Sequence, residues 1–273
     1  MHQYKLVMSD LDDTLLSSTK TISKGNKQAI DNLVKHGIQF IPTTGRFLKG
    51  IPDELFEHPE IEYMVSSNGS QITNIKTHEI IYQQLIDFDL VLNIIELAIN
   101  KAVNIILVCD DKIIIDERIF EHRDQESSSF LKRILEYGYA ASDIIEAAKE
   151  HKHNIKKIDL GFEDLDFRNE LYERLKAYAN INVVSSHFSN IEITSAHASK
   201  GNALNFLANY LNLDTDKIFA IGDNDNDISM LQNAGFSVAM DNASEHVKSH
   251  SNAVTDHHDM DGFAKAIDKY VIV

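Results

Sequence analysis

One cysteine, Cys109, stands in the 273 residues, so no internal disulfide can form and the fold must be held by packing. Three prolines and 11 glycines are too few for a long flexible linker, and no repeat or low-complexity segment interrupts the chain. No apolar run approaches the roughly 20 residues that cross a bilayer. The opening "MHQYKLVMSD" has no basic segment ahead of a long apolar one, which argues against a secretory leader and makes the cytoplasm the expected location. Basic residues are scarce as well: 26 Lys and Arg against 42 Asp and Glu leave a formal net charge of -16. Such a molecule repels nucleic acid and anionic membranes, so neither is expected as a partner, and an anionic substrate needs a local cation. Oligomeric state stays open, a monomer being compatible with all of this.

What is present is an ordinary globular composition, 43% hydrophobic and 25% charged, on a chain long enough for one large or two modest domains. Short apolar runs alternate with helical patterns, and polar residues gather just after certain runs. "YKLVM" ends at Ser9 and Asp10, "GIQFI" at "PTTGR", "YMVSS" at "NGS" and "KIFAIG" at "DNDND". Runs of this length between helices predict a parallel α/β sheet buried on both faces, whose strand ends line one ligand-binding edge. Between the first two runs, Ile30, Leu33 and Val34 share a helical face, with Ser23 as N-cap and Gly37 past the end.

The middle reads differently. A helix over "DLVLNIIELAINKA" precedes a hairpin, "NIILVCDDKIIIDE", turning at Asp110 and Asp111. Helical stretches follow around Phe130 to Tyr137 and Asp143 to His151, then a strand at "IKKIDLGF", a helix at "DLDFRNELYERLKAYA" and a strand at "INVVSS". Hairpins mixed with helices predict an inserted α+β domain with a mainly antiparallel sheet. The α/β pattern is expected to resume near "NIEITS", giving a core of 1–84 and 188–273 around an insert of 85–187.

The chemistry lies in the polar clusters. Asp10, Asp12 and Asp13 in "DLDDTLL" crowd like charges that raise one another's pKa unless a cation holds them. "GDNDND" brings Asp223, Asp225 and Asp227 to the same edge, and carboxylate oxygens of this kind suit Mg²⁺ together with a substrate phosphate. Lys200 in "SKGNAL" sits near a helix start, where the dipole also favours anions, and "TTGR" and "SSNG" offer hydroxyl and amide donors.

Taken in order, "DLDDTLL", "TTGR", "SKG" and "GDNDND", with an insert between the second and third, resemble the haloacid dehalogenase-like phosphatases, and among them the Cof-type branch of subclass IIB. The resemblance extends to "NGS", "EIT", "VAMDNA" and "DMDGFAKAI". It implies a Rossmann-like parallel-sheet core with an inserted α+β cap of the C2B type, the cap reading the leaving group. It also implies a Mg²⁺-dependent phosphatase acting on small phosphorylated metabolites, such as sugar phosphates or cofactor precursors, through an aspartyl-phosphate. Asp10 would be the nucleophile, Asp12 the general acid and then base, and Lys200 the cation bridging nucleophile and phosphoryl group. Thr44, Gly45, Arg46, Asn68 and Asn226 would lie along the substrate. Asp10, Asp223, Asp227 and the Asp12 carbonyl would hold the metal, with Asp227 completing or supporting its shell. The chain departs from the family at Asp13 and Asp241, where glycine is common.

A phosphomutase shares this core, and a phospho-aspartate receiver is a further alternative, though receivers carry no inserted domain. "GDNDND" lacks the spacing of a calcium loop, and no "GxxxxGK[ST]" is present for a P-loop kinase. His257 and His258 read as a surface loop, as do His187 and His197.

Overall fold

The computed structural model describes residues 3–109, 112–120, 136–185 and 187–272. Two units emerge. One holds the residues up to Arg46, then Gly50–Tyr82, then Ser199 onward; the other holds Phe47–Lys49 and Gln83–Ala198.

The first unit is built on a parallel sheet. Strand β1 (Leu6–Ser9) lies between β2 (Gln39–Pro42) and β12 (Ile218–Gly222), with β13 (Phe236–Ala239) and β14 (Ala253–Val254) continuing outward in parallel. β1 is central because Leu6, Val7 and Met8 are apolar on both faces, and all three are fully buried. A parallel bridge from Thr43 to Val65 brings β3 (Tyr63–Ser66) beside β2. β3 then turns into β4 (Gln71–Asn74) and β5 (Glu79–Gln83), a small sheet that the apolar-run reading did not separate from its neighbours.

The helix Lys24–Lys35 follows its sequence signals. Ser23 accepts from the Asn26 N–H, Ala29, Ile30 and Leu33 face inward, and Gly37 takes the left-handed conformation at φ +67°. The helix Lys200–Tyr210 is capped in the same way, by Ser199 accepting from the Asn202 N–H. Leu204 and Leu207 pack with Leu6, Met8 and Ala220 of the sheet.

The second unit carries a six-stranded sheet in the order β10-β11-β9-β6-β7-β8. These strands are β6 (Val103–Val108), β7 (Ile113–Asp116), β8 (Gly138–Ala141), β9 (Lys157–Phe162), β10 (Ile181–Val184) and β11 (Asn190–Ser195), antiparallel except for β7 with β8. Alternate residues Ile105, Leu107, Ile158, Leu160, Ile191 and Ile193 pack on the helices Phe88–Ala98, Ile144–Glu150 and Leu165–Lys176. On the intervening positions, Lys157 is buried between Glu192 at 2.9 Å and Asp159 at 3.2 Å. The hairpin strands stand as expected, whereas its turn at Asp110 and Asp111 and the expected helical stretch over 130–135 lie outside the described residues.

One boundary differs. "NIEITS" was expected to restart the core, but β11 pairs with β9 and β10, so the second unit runs on to Ala198 rather than ending at 187. The reason is visible in the strand itself. Ile191 and Ile193 alternate with Glu192 and Thr194, the period of a sheet with one apolar face, not the continuous apolar run of a buried parallel strand.

Candidate active site

β1 and β12 run parallel and in register, so the residues that follow them emerge side by side. Asp10 leaves β1 with its N–H donating to the Ile221 carbonyl at 3.0 Å, and Asp223 leaves the end of β12. Thr43 and Thr44 leave β2, with the Thr43 N–H donating to Ser9 O at 2.8 Å. Parallel pairing thus collects side chains more than 200 positions apart.

Lys200 fixes the centre. Its ammonium is fully buried and donates to Asp10 Oδ1 at 2.5 Å and Asp227 Oδ1 at 2.6 Å. Asp227 Oδ2 accepts from the N–H groups of Asp223 and Asn224, both at 3.0 Å. One buried carboxylate therefore positions both the lysine and the loop that carries Asp223. Gly222 is required for this, since a Cβ there would lie 2.4 Å from Asp227 Cγ. Asp223 is oriented by the Thr14 hydroxyl, which donates to its Oδ1 at 2.8 Å, and by the Asn242 amide, which donates to Oδ2 at 3.5 Å and to the Asp13 carbonyl at 2.9 Å. Asp13 sits at φ +59°, a left-handed conformation that aspartate tolerates.

A second group adjoins the first. Arg46 grips the Asp12 carboxylate through two bonds of 2.7 Å, and Lys20 approaches it at 3.3 Å. The Thr44 hydroxyl accepts from the Arg46 N–H at 3.1 Å, leaving its own proton free to donate. Asn226 donates to Asn68 Oδ1 at 3.0 Å, while Asn226 Oδ1 and the neighbouring Ser67 hydroxyl are buried with no partner among the described residues. Ser67, Asn68 and Gly69 all have positive φ, and a Cβ on Gly69 would lie 2.2 Å from Ser199 O, so this loop fits closely over the helix start that bears Lys200.

Burial and crowding set the charges. Asp10 is raised well above the ordinary carboxylate value, by burial first and by Asp227, Asp223 and Asp12, with Lys200 opposing. Asp223 is pushed up to about 7 by burial and by Asp227. Burial acts to lower Lys200, but Asp10 and Asp227 outweigh it and hold the ammonium above the usual lysine range. Asp12 goes the other way: burial pushes it up, and the Arg46 bonds and charge, with Lys20, overcome that and hold it below 3.8.

These shifts fix a stability trend. Because Asp10 and Asp223 have folded values above 3.8, the folded chain holds protons that the unfolded chain has released. The Asp223 contribution is fully present below about pH 4 and is lost as pH rises through about 7, and that of Asp10 is lost in the same direction. Melting temperatures of the metal-free protein should therefore fall across this window, and a saturating divalent cation should flatten the fall. A metal-free melting temperature that climbs steadily over the window would contradict the assignment.

Asp10, Asp223 and Asp227 each offer a carboxylate oxygen within 4.8 Å of the others. An all-oxygen set with one lysine against three carboxylates retains negative charge and fits a hard divalent cation. The Asp12 side chain lies apart from this set, turned to Arg46, and Arg46 meets a carboxylate where a substrate contact was expected.

The sequence matches the haloacid dehalogenase-like hydrolase family over residues 7–267. The chain belongs to that family. Over 97% of its length it aligns with a solved haloacid dehalogenase-like hydrolase of Bacteroides thetaiotaomicron, at 27% identity and TM-score 0.82, covering 99% of that chain. Two Bacillus subtilis proteins are similar across nearly the whole length. Phosphatase YwpJ is 31% identical over 95% of this chain and 97% of its own, and 5-amino-6-(5-phospho-D-ribitylamino)uracil phosphatase YcsE is 28% identical over 98% and 96%. The chain is accordingly a haloacid dehalogenase-like phosphatase.

In this phosphatase, sequence reasoning passed over Thr14 and Asn242. Both stand inside quoted motifs, "DLDDTLL" and "VAMDNA", but only the fold shows them reaching Asp223. Lys20 had no signal at all.

Proposed function

We infer that the phosphatase hydrolyses small phosphorylated metabolites, sugar phosphates or phosphorylated cofactor precursors, in a Mg²⁺-dependent reaction that passes through a phosphoryl group on Asp10. The observation that carries this reading is the buried Lys200 ammonium between Asp10 and Asp227, beside Asp223. YcsE, named for a phosphorylated ribitylamino-uracil, supports a substrate of that size.

Asp10 attacks phosphorus, forming the new P–O bond as the bond to the leaving oxygen breaks. Lys200 opposes the burial that disfavours the attacking carboxylate's charge and stabilises charge on the phosphoryl oxygens. Thr44 Oγ1 donates to one of these oxygens, the Gly45 backbone lies beside them, and Asn226 and Asn68 align the group. Asp12 protonates the leaving oxygen, then takes a proton from the water that attacks phosphorus, releasing phosphate and regenerating Asp10. Asp10, Asp223 and the Asp12 carbonyl would hold Mg²⁺, with Asp227 supporting them, and the bound ion would offset the repulsion between Asp10 and the anionic substrate.

The Arg46 pair matters for timing. It holds Asp12 as the carboxylate suited to deprotonating water, so Asp12 must loosen from Arg46 to act as the proton donor. Arg46→Gln should raise the Asp12 pKa and move the acidic limb of the rate profile to higher pH, with a loss of about tenfold to a hundredfold in the second half-reaction. An unmoved limb would show that Arg46 does not govern Asp12.

Phosphate release from a panel of phosphorylated metabolites, with Mg²⁺ present, tests the reading directly. Chelation should silence every active substrate and Mg²⁺ restore it, while Ca²⁺ substitutes poorly because its looser coordination misaligns the attack. Undiminished release in chelator would remove the metal from the account.

A further inference from the structure

His258 was expected in a surface loop and is instead buried, 7% exposed, at the turn leading into the helix Gly262–Tyr270. Its Nδ1 lies 3.0 Å from the Leu16 carbonyl, which only accepts, and 3.6 Å from Asp13 Oδ1, so Nδ1 carries a proton and the lone pair that a metal would take is the one on Nε2. That lone pair faces Asp259 Oδ2 at 3.7 Å. His257 Nδ1 lies 3.9 Å from the same oxygen and accepts from the Asp259 N–H at 3.2 Å, so a metal there would take over the lone pair that this bond now uses. Asp259 is held in place from outside the group, by the Ser18 N–H at 2.8 Å and the Ser18 hydroxyl at 2.5 Å. Three potential ligand atoms thus converge, all within 4.8 Å of one another.

The geometry points to a second cation site, formed by His257, His258 and Asp259 and taking a borderline divalent ion such as Zn²⁺. Two ligands on one tetrahedral Zn²⁺ at about 2.0–2.1 Å lie about 3.4 Å apart, so the spacings of 3.7 and 3.9 Å need contract by only a few tenths of an ångström. A histidine whose other nitrogen donates to a backbone carbonyl, and a carboxylate fixed by a neighbouring hydroxyl, are the supports that metal ligands ordinarily have. Two imidazoles exclude Mg²⁺, which prefers an all-oxygen shell, and so separate this site from the cluster at Asp10. Three protein ligands leave one position for water. The bound ion would pin the 257–259 turn to Ser18, just beyond the segment that carries Asp12 and Asp13.

The test is calorimetric titration of the full-length, chelator-stripped protein with Zn²⁺ in saturating Mg²⁺. One Zn²⁺ should bind to the parent chain and equally to Asp223→Asn. His257→Gln, altered at a half-exposed position, should bind it about 100-fold more weakly or worse while keeping its Mg²⁺-supported phosphate release and its metal-free melting temperature. No uptake by the parent would overturn the site and assign the gap to a proton on His258. Uptake retained in His257→Gln but lost in Asp223→Asn would overturn it too, placing the ion among the carboxylates.

Discussion

Asp10→Asn should fold, and it should release phosphate from p-nitrophenyl phosphate slower on the order of 10⁶-fold, the scale of nucleophile loss in other covalent hydrolases. The substitution replaces an attacking oxygen by an amide that cannot form the ester, while changing almost no volume. Its effect on stability should run opposite to its effect on rate. Asp10 is one of two carboxylates bonded to a single buried ammonium, with Asp223 beside them, and its raised pKa shows that its charge is disfavoured there. Neutralising it should leave the metal-free melting temperature unchanged or raise it. Turnover near the parent rate would remove Asp10 from the chemistry, and a collapse in melting temperature would show that its charge holds the fold.

Lys200→Met should fail in both respects. The apolar chain fills the same space, but Asp10 and Asp227 then face each other inside the protein with no cation between them. Removing one partner from a buried ion pair costs about 3–5 kcal/mol, because the charge left behind is uncompensated. Part of that cost should be relieved by proton uptake, so the variant should be least stable at high pH. Activity should drop about 10³-fold, as for loss of an electrostatic donor at a developing charge. The pairing of the two outcomes is informative. Asp10→Asn separates rate from stability, and Lys200→Met couples them, because the lysine both neutralises the transferring group and holds the cluster together. Denaturant unfolding of the two variants across pH, beside their rates, reads both quantities on one preparation; a Lys200→Met chain as stable as the parent at pH 8 would contradict the buried ion-pair geometry.

Much of this was legible because the signal is local. An apolar run followed by carboxylates is readable at Leu6 to Asp13 and again at Ile218 to Asp227, and parallel pairing then joins the two stretches without further information. Ser23 and Ser199 cap the helices their positions predict. What escaped the sequence depends on contacts between distant segments. Thr14 is unremarkable until Asp223 lies 2.8 Å away, and Asn242 until Asp13 and Asp223 are both in reach. Arg46 was placed along the substrate by the family resemblance, as part of the "TTGR" loop. Only side-chain direction reveals that two of its guanidinium bonds go to Asp12 and a third to the Gly50 carbonyl. β11 was misplaced for the opposite reason, since the nearby "SKG" motif suggested the core while the alternation within the strand belonged to an antiparallel sheet.

The central claim is that Asp10 itself carries the phosphoryl group during turnover. Asp12→Asn should trap that state on p-nitrophenyl phosphate, whose leaving group departs without a proton, whereas the following attack by water needs the base that the variant lacks. Mass spectrometry of the acid-quenched, digested variant should then find phosphate on the peptide Leu6 to Lys20, attached at Asp10, in near one-to-one amount with enzyme. Full release of p-nitrophenol with no phosphorylated peptide at any time would mean that water attacks the substrate directly.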